Sequence, residues 1–328
     1  MAKSSRVLIT GATGFVGRYL LGFLSGGAKT RDAEFFGTCF PERPEHCADL
    51  LGAAPFLRLD HVDFRSEEAV LDLLKDIRPE RIFHLAAISQ VRVSWIKRRE
   101  TLETNLMGTF SLFEAARRYA PDSRILYISS SDVYGRRLPK KSGRPFREEE
   151  RDGILSPYAF TKVGGELLSE FYALREKLDV VVARPFPHTG PGQTPDFVCS
   201  DWARQIALIE KSDIPAVVRV GNLRLRRDYS DVRDVVRAYG LLMTKGRRGE
   251  IYNVCSGEAP TLGAILRMLL ALSPRRIKAR VEPSRVRKTD VPYLAGSNRK
   301  IRERTGWLPR IPLGKTLGDL LEYWRANV

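Results

Sequence analysis

Arg6-Val7-Leu8-Ile9-Thr10-Gly11-Ala12-Thr13-Gly14-Phe15-Val16-Gly17-Arg18-Tyr19-Leu20-Leu21 passes from a short apolar run through three spaced glycines into an amphipathic stretch. The order of these pieces decides the fold. Val7–Ile9 reads as a buried strand, and the apolar spacing after Gly14 predicts a helix over Gly14–Leu24. Gly11 permits the tight turn, Gly14 lets backbone approach a ligand, and Gly17 lets helix pack closely on strand. A helix that starts at the end of a strand aims unpaired N–H groups at one point, where a pyrophosphate binds. Thr13, Phe15 and Val16 lie in the same turn and are expected to line that site. A glycine turn of purely structural use is the competing reading, and the strand before and helix after argue against it.

Outward from this turn, apolar runs alternate with amphipathic ones as far as Ala183. Strands are predicted at Val7–Ile9, Glu34–Cys39, Phe56–Asp60, Arg81–Leu85, Arg124–Ile128 and Val180–Ala183, and helices at Gly14–Leu24, Glu67–Ile77, Asn105–Tyr119 and Pro157–Lys177. Right-handed crossovers between parallel strands imply an α/β, Rossmann-like doubly wound parallel sheet with ligands at the strands' carboxyl ends. Past Arg184 the texture becomes rich in Pro, Gly and Arg, which predicts a smaller C-terminal substrate-binding lobe. The expected division is 1–184 for the NAD(P)-binding domain and 185–328 for the lobe, with part of 217–256 returning to the sheet.

The 328 residues carry 55 Lys plus Arg against 39 Asp plus Glu, a formal charge of +16. Such a field favours phosphorylated metabolites or nucleic acid as partners. Basic clusters such as Lys97-Arg98-Arg99 lack the interleaved aromatics that stack bases, so nucleic acid is not the expected partner. The four cysteines, Cys39, Cys47, Cys199 and Cys255, form no CxxC pair. That spacing argues against a metal site or disulfide framework and fits a reducing, cytoplasmic location. No apolar stretch approaches the length of a spanning helix, and the run Val7–Thr10 is too short to be the apolar core of a secretory leader.

Tyr158 and Lys162 stand four apart at the start of a predicted helix and so share one face. A phenol with an ammonium beside it is expected to have a depressed pKa and to pass a proton to or from an oxygen while hydride moves at a nicotinamide. Ser129, Ser130, Ser131 and Asp132 follow the Arg124–Ile128 strand, where substrates bind.

The GxxGxxG turn, Asp63-Phe64, His84-Leu85-Ala86-Ala87, Asn105 and the Tyr158–Lys162 pair, in this order, resemble the extended short-chain dehydrogenase/reductase superfamily. The resemblance implies adenine contacts at Asp63 and Phe64, cofactor contacts at Leu85, Ala86, Ala87 and Pro185, and catalysis by Ser130, Tyr158 and Lys162. Ser129 is left to a turn or helix cap, and Ser131 to substrate contact. Arg184-Pro185-Phe186-Pro187-His188-Thr189-Gly190-Pro191-Gly192-Gln193 is similar to the RPFNHTGPGQ run of the reductases that act on GDP-4-keto-6-deoxy-D-mannose. Here Pro187 replaces the Asn and supplies neither an amide nor a backbone donor.

By that resemblance His188 is a substrate contact, and Arg227 and Arg287 face a nucleotide-sugar diphosphate. A guanidinium suits that role because it forks onto phosphate oxygens. The implied reaction is reduction of the C4 ketone of GDP-4-keto-6-deoxy-D-mannose to GDP-D-rhamnose, in a homodimer joined through the Asn105–Tyr119 and Pro157–Lys177 helices. Asp132 stands where sugar-nucleotide 4,6-dehydratases carry a Glu base, which makes GDP-mannose 4,6-dehydration the first alternative. A UDP-sugar C4 epimerase and a nucleic-acid-binding Rossmann protein are the others. The second strand ends Cys39-Phe40-Pro41-Glu42-Arg43 with no acid at the usual ribose position. NADP(H) is therefore favoured over NAD(H), with Arg18 or Arg43 as candidates for the 2′-phosphate.

Overall fold

The computed structural model describes residues 5–27, 33–42, 44–135, 143–151, 153–212, 214–286 and 291–328. Strands β1 (Arg6–Thr10), β2 (Glu34–Cys39), β3 (Leu57–His61), β4 (Arg81–His84), β5 (Arg124–Ile128) and β6 (Asp179–Pro185) alternate with helices, as the sequence predicts. The helices are α1 (Phe15–Ser25), α2 (Ala48–Ala53), α3 (Glu67–Ile77), α4 (Val91–Ile96), α5 (Arg98–Leu102), α6 (Gly108–Tyr119) and α7 (Pro157–Leu174). Beyond them come β7 (His188–Thr189), α8 (Val198–Lys211), β8 (Val217–Val220), β9 (Arg226–Arg227), β10 (Ser230–Asp231), α9 (Val232–Lys245) and β11 (Ile251–Val254). The chain ends with α10 (Leu262–Ala271), β12 (Lys278–Val281), β13 (Tyr293–Leu294), α11 (Arg299–Thr305) and α12 (Leu313–Asn327).

Seven strands form one sheet in the order β11-β6-β5-β4-β1-β2-β3, and every pairing in it is parallel. The fold is Rossmann-like. Strand order reverses between β1 and β4, so the chain departs in opposite directions there and leaves a crevice at the carboxyl ends. Apolar side chains fill both faces. Val7, Ile9, Leu126 and Val181 pack against α1, α9 and Trp307 on one side. Leu8, Ile82, Ile125 and Val182 pack against α3, α6 and α7 on the other. A third cluster joins α8, α10 and α12 to β8. Among the described residues no helix is long and apolar enough to cross a membrane.

The boundaries differ from the sequence-based ones for identifiable reasons. A π-helical turn occupies Glu103–Met107, so α6 begins at Gly108 rather than at Asn105. The Asn105 side chain is committed outside the helix, since its Oδ1 accepts from Ile88 N and its Nδ2 donates to Ile88 O. Helix α7 stops at Leu174, short of Lys177, which adopts φ 61°. Helices α2, α4 and α5 have no counterpart in the sequence pattern; each is only one or two turns long, too short for a periodic signal.

Two acids from the Arg227–Asp234 stretch lock the far segments. Buried Asp228 accepts from Ser256 N (2.8 Å), Gly257 N (2.9 Å) and Gly296 N (3.2 Å), tying the end of β11 to the segment after β13. Asp234 accepts from Arg310 N and Ile311 N (2.7 and 2.8 Å), while its carbonyl takes the indole N–H of fully buried Trp307. Buried carboxylates bonded this way replace the water that they lose.

Candidate active site

A cleft of about 1090 Å³ opens at the carboxyl ends of β1, β4, β5 and β6. Its floor is the glycine turn. Gly11 has φ +69°, and a Cβ there would stand 3.1 Å from the backbone of Ala86. At Gly17 a Cβ would meet Gly11 O at 2.4 Å and Ala12 O at 2.7 Å, so only glycine lets α1 lie this close to the turn. The α1 N-cap, Gly14, has no side-chain capping bond, and no acid sits in the first turn. Its N–H groups are left for an anion, which is the cradle a dinucleotide's diphosphate requires.

A buried polar chain fixes the loop after β4. Thr109 Oγ1 donates to Asn105 O (2.6 Å), so the 3.0 Å contact with His84 must be donated by His84 Nε2. His84 Nδ1 then accepts from Thr10 Oγ1 (2.9 Å), which in turn accepts from Ala86 N (3.0 Å). Burial drives the His84 pKa down to about 3, with Lys162 adding to the shift. A neutral imidazole thus joins β4 to β1 and to the start of α6. It sets Leu85, Ala86 and Ala87 along the cleft wall.

Helix α7 starts where it does because Ser156 caps it, accepting from Ala159 N (3.0 Å), with Pro157 in the first turn. Tyr158 N–H donates to Ser94 Oγ (3.2 Å), which docks the helix on α4. Lys162 Nζ donates to Ile128 O (2.7 Å) and lies 5.8 Å from the Tyr158 ring centroid. Burial lowers the Lys162 pKa to about 8, with Glu166 acting in the opposite direction. For Tyr158 the structure corrects the expectation of a depressed pKa. Burial pushes its phenol above the ordinary range, the Asp132 charge pushes it further, and a hydrogen bond with Ser130 pulls it part of the way back. Lys162 is turned to the Ile128 carbonyl, and its charge does not prevail over desolvation.

Ser130 Oγ also accepts from Asp132 N (3.1 Å) and so caps the short 3₁₀ turn Ser131–Tyr134. The cap assigned to Ser129 belongs to Ser130. Ser129 Oγ instead donates to Glu166 Oε1 (2.6 Å). Glu166 further receives Arg184 Nε (2.6 Å), Arg184 Nη2 (2.8 Å) and Arg151 Nη2 (2.9 Å). Arg184 Nη1 reaches Tyr134 Oη (3.1 Å) and Glu148 O (2.7 Å), so each guanidinium nitrogen is hydrogen-bonded.

Most sequence-predicted site residues meet in this cleft, including Thr13, Phe15, Val16, Phe64, Ser130, Ser131, Asp132, Tyr158, Lys162, Pro185 and His188. Two do not line it. The Asp63 carboxylate turns to Arg65 (Nη2–Oδ2 2.6 Å), whose hydrogen bonds hold its pKa below the usual range. Arg227 Nη1 donates to the carbonyls of Arg226 (2.9 Å) and Val291 (2.6 Å). Arg287 and Arg43 lie outside the described residues. Arg18 lines the cleft and is paired with Asp49. Sequence reasoning missed a cross-cleft contact, Gln90 Nε2 to Asp196 Oδ2 (3.1 Å), because nothing local marks residues 106 positions apart as neighbours.

Residues 8–320 match the family model described as GDP-mannose 4,6 dehydratase. The chain is 30% identical over 325 residues to GDP-6-deoxy-D-mannose reductase of Pseudomonas aeruginosa, covering 99% of each. The NADPH complex of RMD from Pseudomonas aeruginosa superposes with a TM-score of 0.84 at 29% identity, covering 99% of this chain and 100% of that one. The NAD complex of UDP-glucose 4-epimerase from Thermus thermophilus matches with a TM-score of 0.84 at 25% identity, covering 98% and 100%.

Removing one partner of a buried ion pair strands the other charge, at a cost of about 3–5 kcal/mol. Glu166→Ala should therefore lower the urea unfolding free energy by about that amount, whereas Ser129→Ala, which removes one hydrogen bond, should cost about 1 kcal/mol. Equal small losses in the two variants would show that the pair is not the anchor.

Proposed function

The chain belongs to the GDP-mannose 4,6-dehydratase family, and from that premise we propose that it is an NADPH-dependent reductase of the C4 ketone of GDP-4-keto-6-deoxy-D-mannose, yielding GDP-D-rhamnose. The observation that carries this reading is the Ser130–Tyr158–Lys162 grouping at the crevice. Support comes from the near-full-length likeness to a GDP-6-deoxy-D-mannose reductase and from the likeness to a structure holding NADPH.

The bound nicotinamide supplies the hydride. Tyr158, kept protonated by burial and by Asp132, gives its proton to the C4 oxygen as that oxygen gains charge. Ser130 donates its hydroxyl hydrogen to the same oxygen, a bond that strengthens as the alkoxide forms. Lys162, rigid on the Ile128 carbonyl, holds a positive charge beside the phenol and hydrogen-bonds the nicotinamide ribose. The α1 N-terminus and glycine turn hold the cofactor diphosphate. On this reading residues 1–184 bind the cofactor and residues 185–328 contribute the substrate side.

Asp132 favours a second reading, dehydration of GDP-mannose with this carboxylate as base, because it lines the cleft and its charge reaches Tyr158. A homodimer is proposed through α6 and α7, where Met107, Leu167, Phe171 and Leu174 are exposed beside a shallow apolar pocket.

Purified protein should oxidise NADPH stoichiometrically with GDP-4-keto-6-deoxy-D-mannose, and Tyr158→Phe should lose at least about 100-fold in kcat while its NADPH Kd stays within twofold. Formation of a 4-keto product from GDP-mannose alone would favour the dehydratase instead. The pH profile tests Lys162 separately. Its folded pKa is lowered to about 8, so the ammonium disappears as pH rises through that value. The kcat/KM of the reduction should therefore fall above about pH 8, and Lys162→Arg should move that limb upward, since a guanidinium does not deprotonate. Light scattering should return twice the 37.1 kDa chain mass; a monomer would contradict the proposed interface.

A further inference from the structure

We propose that Tyr127 is a positioning residue for the reaction: its ring, buried beneath α7, seats the Lys162 ammonium through a cation–π contact and keeps it charged beside Tyr158. The inference rests on the reductase reading above for the use of that charge, and goes beyond it by naming the group that sustains it.

Lys162 is a buried cation without a carboxylate of its own. Its Nζ donates to Ile128 O (2.7 Å), and it makes no ion pair among the described residues. Glu166, one turn further along α7, is taken up by Arg184, Arg151 and Ser129. Its charge still raises the Lys162 pKa, against the burial that lowers it to about 8. The remaining titratable groups nearby give no counter-charge. His84 on β4 is neutral, the Tyr158 phenol keeps its proton, and the Asp132 charge is felt at Tyr158. A buried charge left in this state is costly unless something else compensates it.

What the ammonium does meet is aromatic. Nζ lies 5.3 Å from the Tyr127 ring centroid and 5.8 Å from that of Tyr158, within the range where the negative face of a ring attracts a cation. Exclusion of water strengthens that attraction.

Tyr127 serves through its ring and not through its hydroxyl. On β5 it is 1% exposed, edge-to-face with Phe113 at 6.4 Å and 6.0 Å from the His84 ring. Its Oη is buried and has no hydrogen-bond partner among the described residues, so the hydroxyl weakens the fold rather than supporting it. Burial holds its pKa well above the ordinary range, and the neutral phenol cannot pair with Lys162 as an anion. Gly165 lets α7 rest directly on this ring, since a Cβ there would stand 2.0 Å from Oη. A glycine inside a helix weakens it. Here that weakness accompanies the close approach that brings Lys162 to the Tyr127 face.

Nonsense suppression can place pentafluorophenylalanine at position 127, a ring of nearly the same shape whose face no longer attracts a cation. Isotopic labelling of the lysine Cε carbons lets NMR follow the Lys162 titration in the cofactor-free protein, its signal identified by loss in Lys162→Arg. Tyr127→Phe should leave that titration close to its wild-type value and should melt no lower. The fluorinated ring should lower it by about one pH unit, a tenfold change in the protonation constant. The alkaline limb of kcat/KM for GDP-4-keto-6-deoxy-D-mannose should fall with it, and Lys162→Arg should abolish the effect of fluorination on that limb. An unmoved titration with the fluorinated ring, or an equal shift in Tyr127→Phe, would overturn the proposal. So would a rate lowered equally at every pH, which marks a packing role only. A wild-type protein without turnover would overturn the reductase reading, while the titration would still establish the contact.

Discussion

Glu166, 2% exposed, receives Arg184 through two bonds, Arg151 through one and Ser129 through another. These partners belong to β6, to the segment before α7 and to the end of β5, so one carboxylate sets the separation of the elements that carry Ser130, Lys162 and Pro185. An ion pair in this position contributes little net stability, because both charges have lost their water. Its value is geometric. With every guanidinium nitrogen of Arg184 hydrogen-bonded, a shift of α7 along the sheet would leave a buried charge unpaired, and Tyr158 is held in register with Ser130 for that reason. Gly165 shows how closely the helix lies, since a Cβ there would stand 2.0 Å from the Tyr127 hydroxyl.

The same closeness explains the electrostatics of the pair at the cleft. Bringing Tyr158 and Lys162 to 8% and 5% exposure removes water from both, and each responds by favouring its neutral form. For a phenol that gives up its proton only as charge develops on a substrate oxygen, a raised pKa in the resting protein keeps the proton in place until it is needed. On the proposed reading, the ammonium nearby would stabilise the phenolate as it forms, rather than beforehand. Loading the proton and releasing it are governed by different neighbours.

The sheet was legible in the sequence because each strand carries its own signal, a short run of β-branched or aromatic residues. Arg124–Ile128 and Glu34–Cys39 show this at their observed limits. The glycine turn was legible because its spacing has one steric meaning, which the Gly17 contact bears out in distance. Helix starts at Ser66 and Ser156 follow capping rules, whereas the π-helical turn at Glu103–Met107 does not, since it is imposed by the Asn105 bonds to Ile88. The candidate site was legible as a list of residue types. Its electrostatics were not, because the sign of the Tyr158 shift is set first by burial, which no local pattern of residues shows. Likewise Asp63 reads as a ligand until Arg65, two residues on, is seen to hold it.

The cationic side chains along the cleft suit an anionic cofactor in a particular way. Arg18 is tied to Asp49 and to Thr13 O, and Arg65 to Asp63 with its guanidinium 5.3 Å from the Phe40 ring centroid. Both pairs are partly exposed, and such pairs hold together by about 0–1 kcal/mol. A phosphate carrying nearly two charges competes well against a single carboxylate at that strength, while the existing contacts have already removed much of the arginines' rotational freedom. Glu42 stands on the same edge of the cleft and opposes a phosphate there. On the proposed reading, Arg18 and Arg65 are the candidates to meet a 2′-phosphate at this edge of the cleft. No acid lies at the end of β2 to take a ribose 2′-hydroxyl instead.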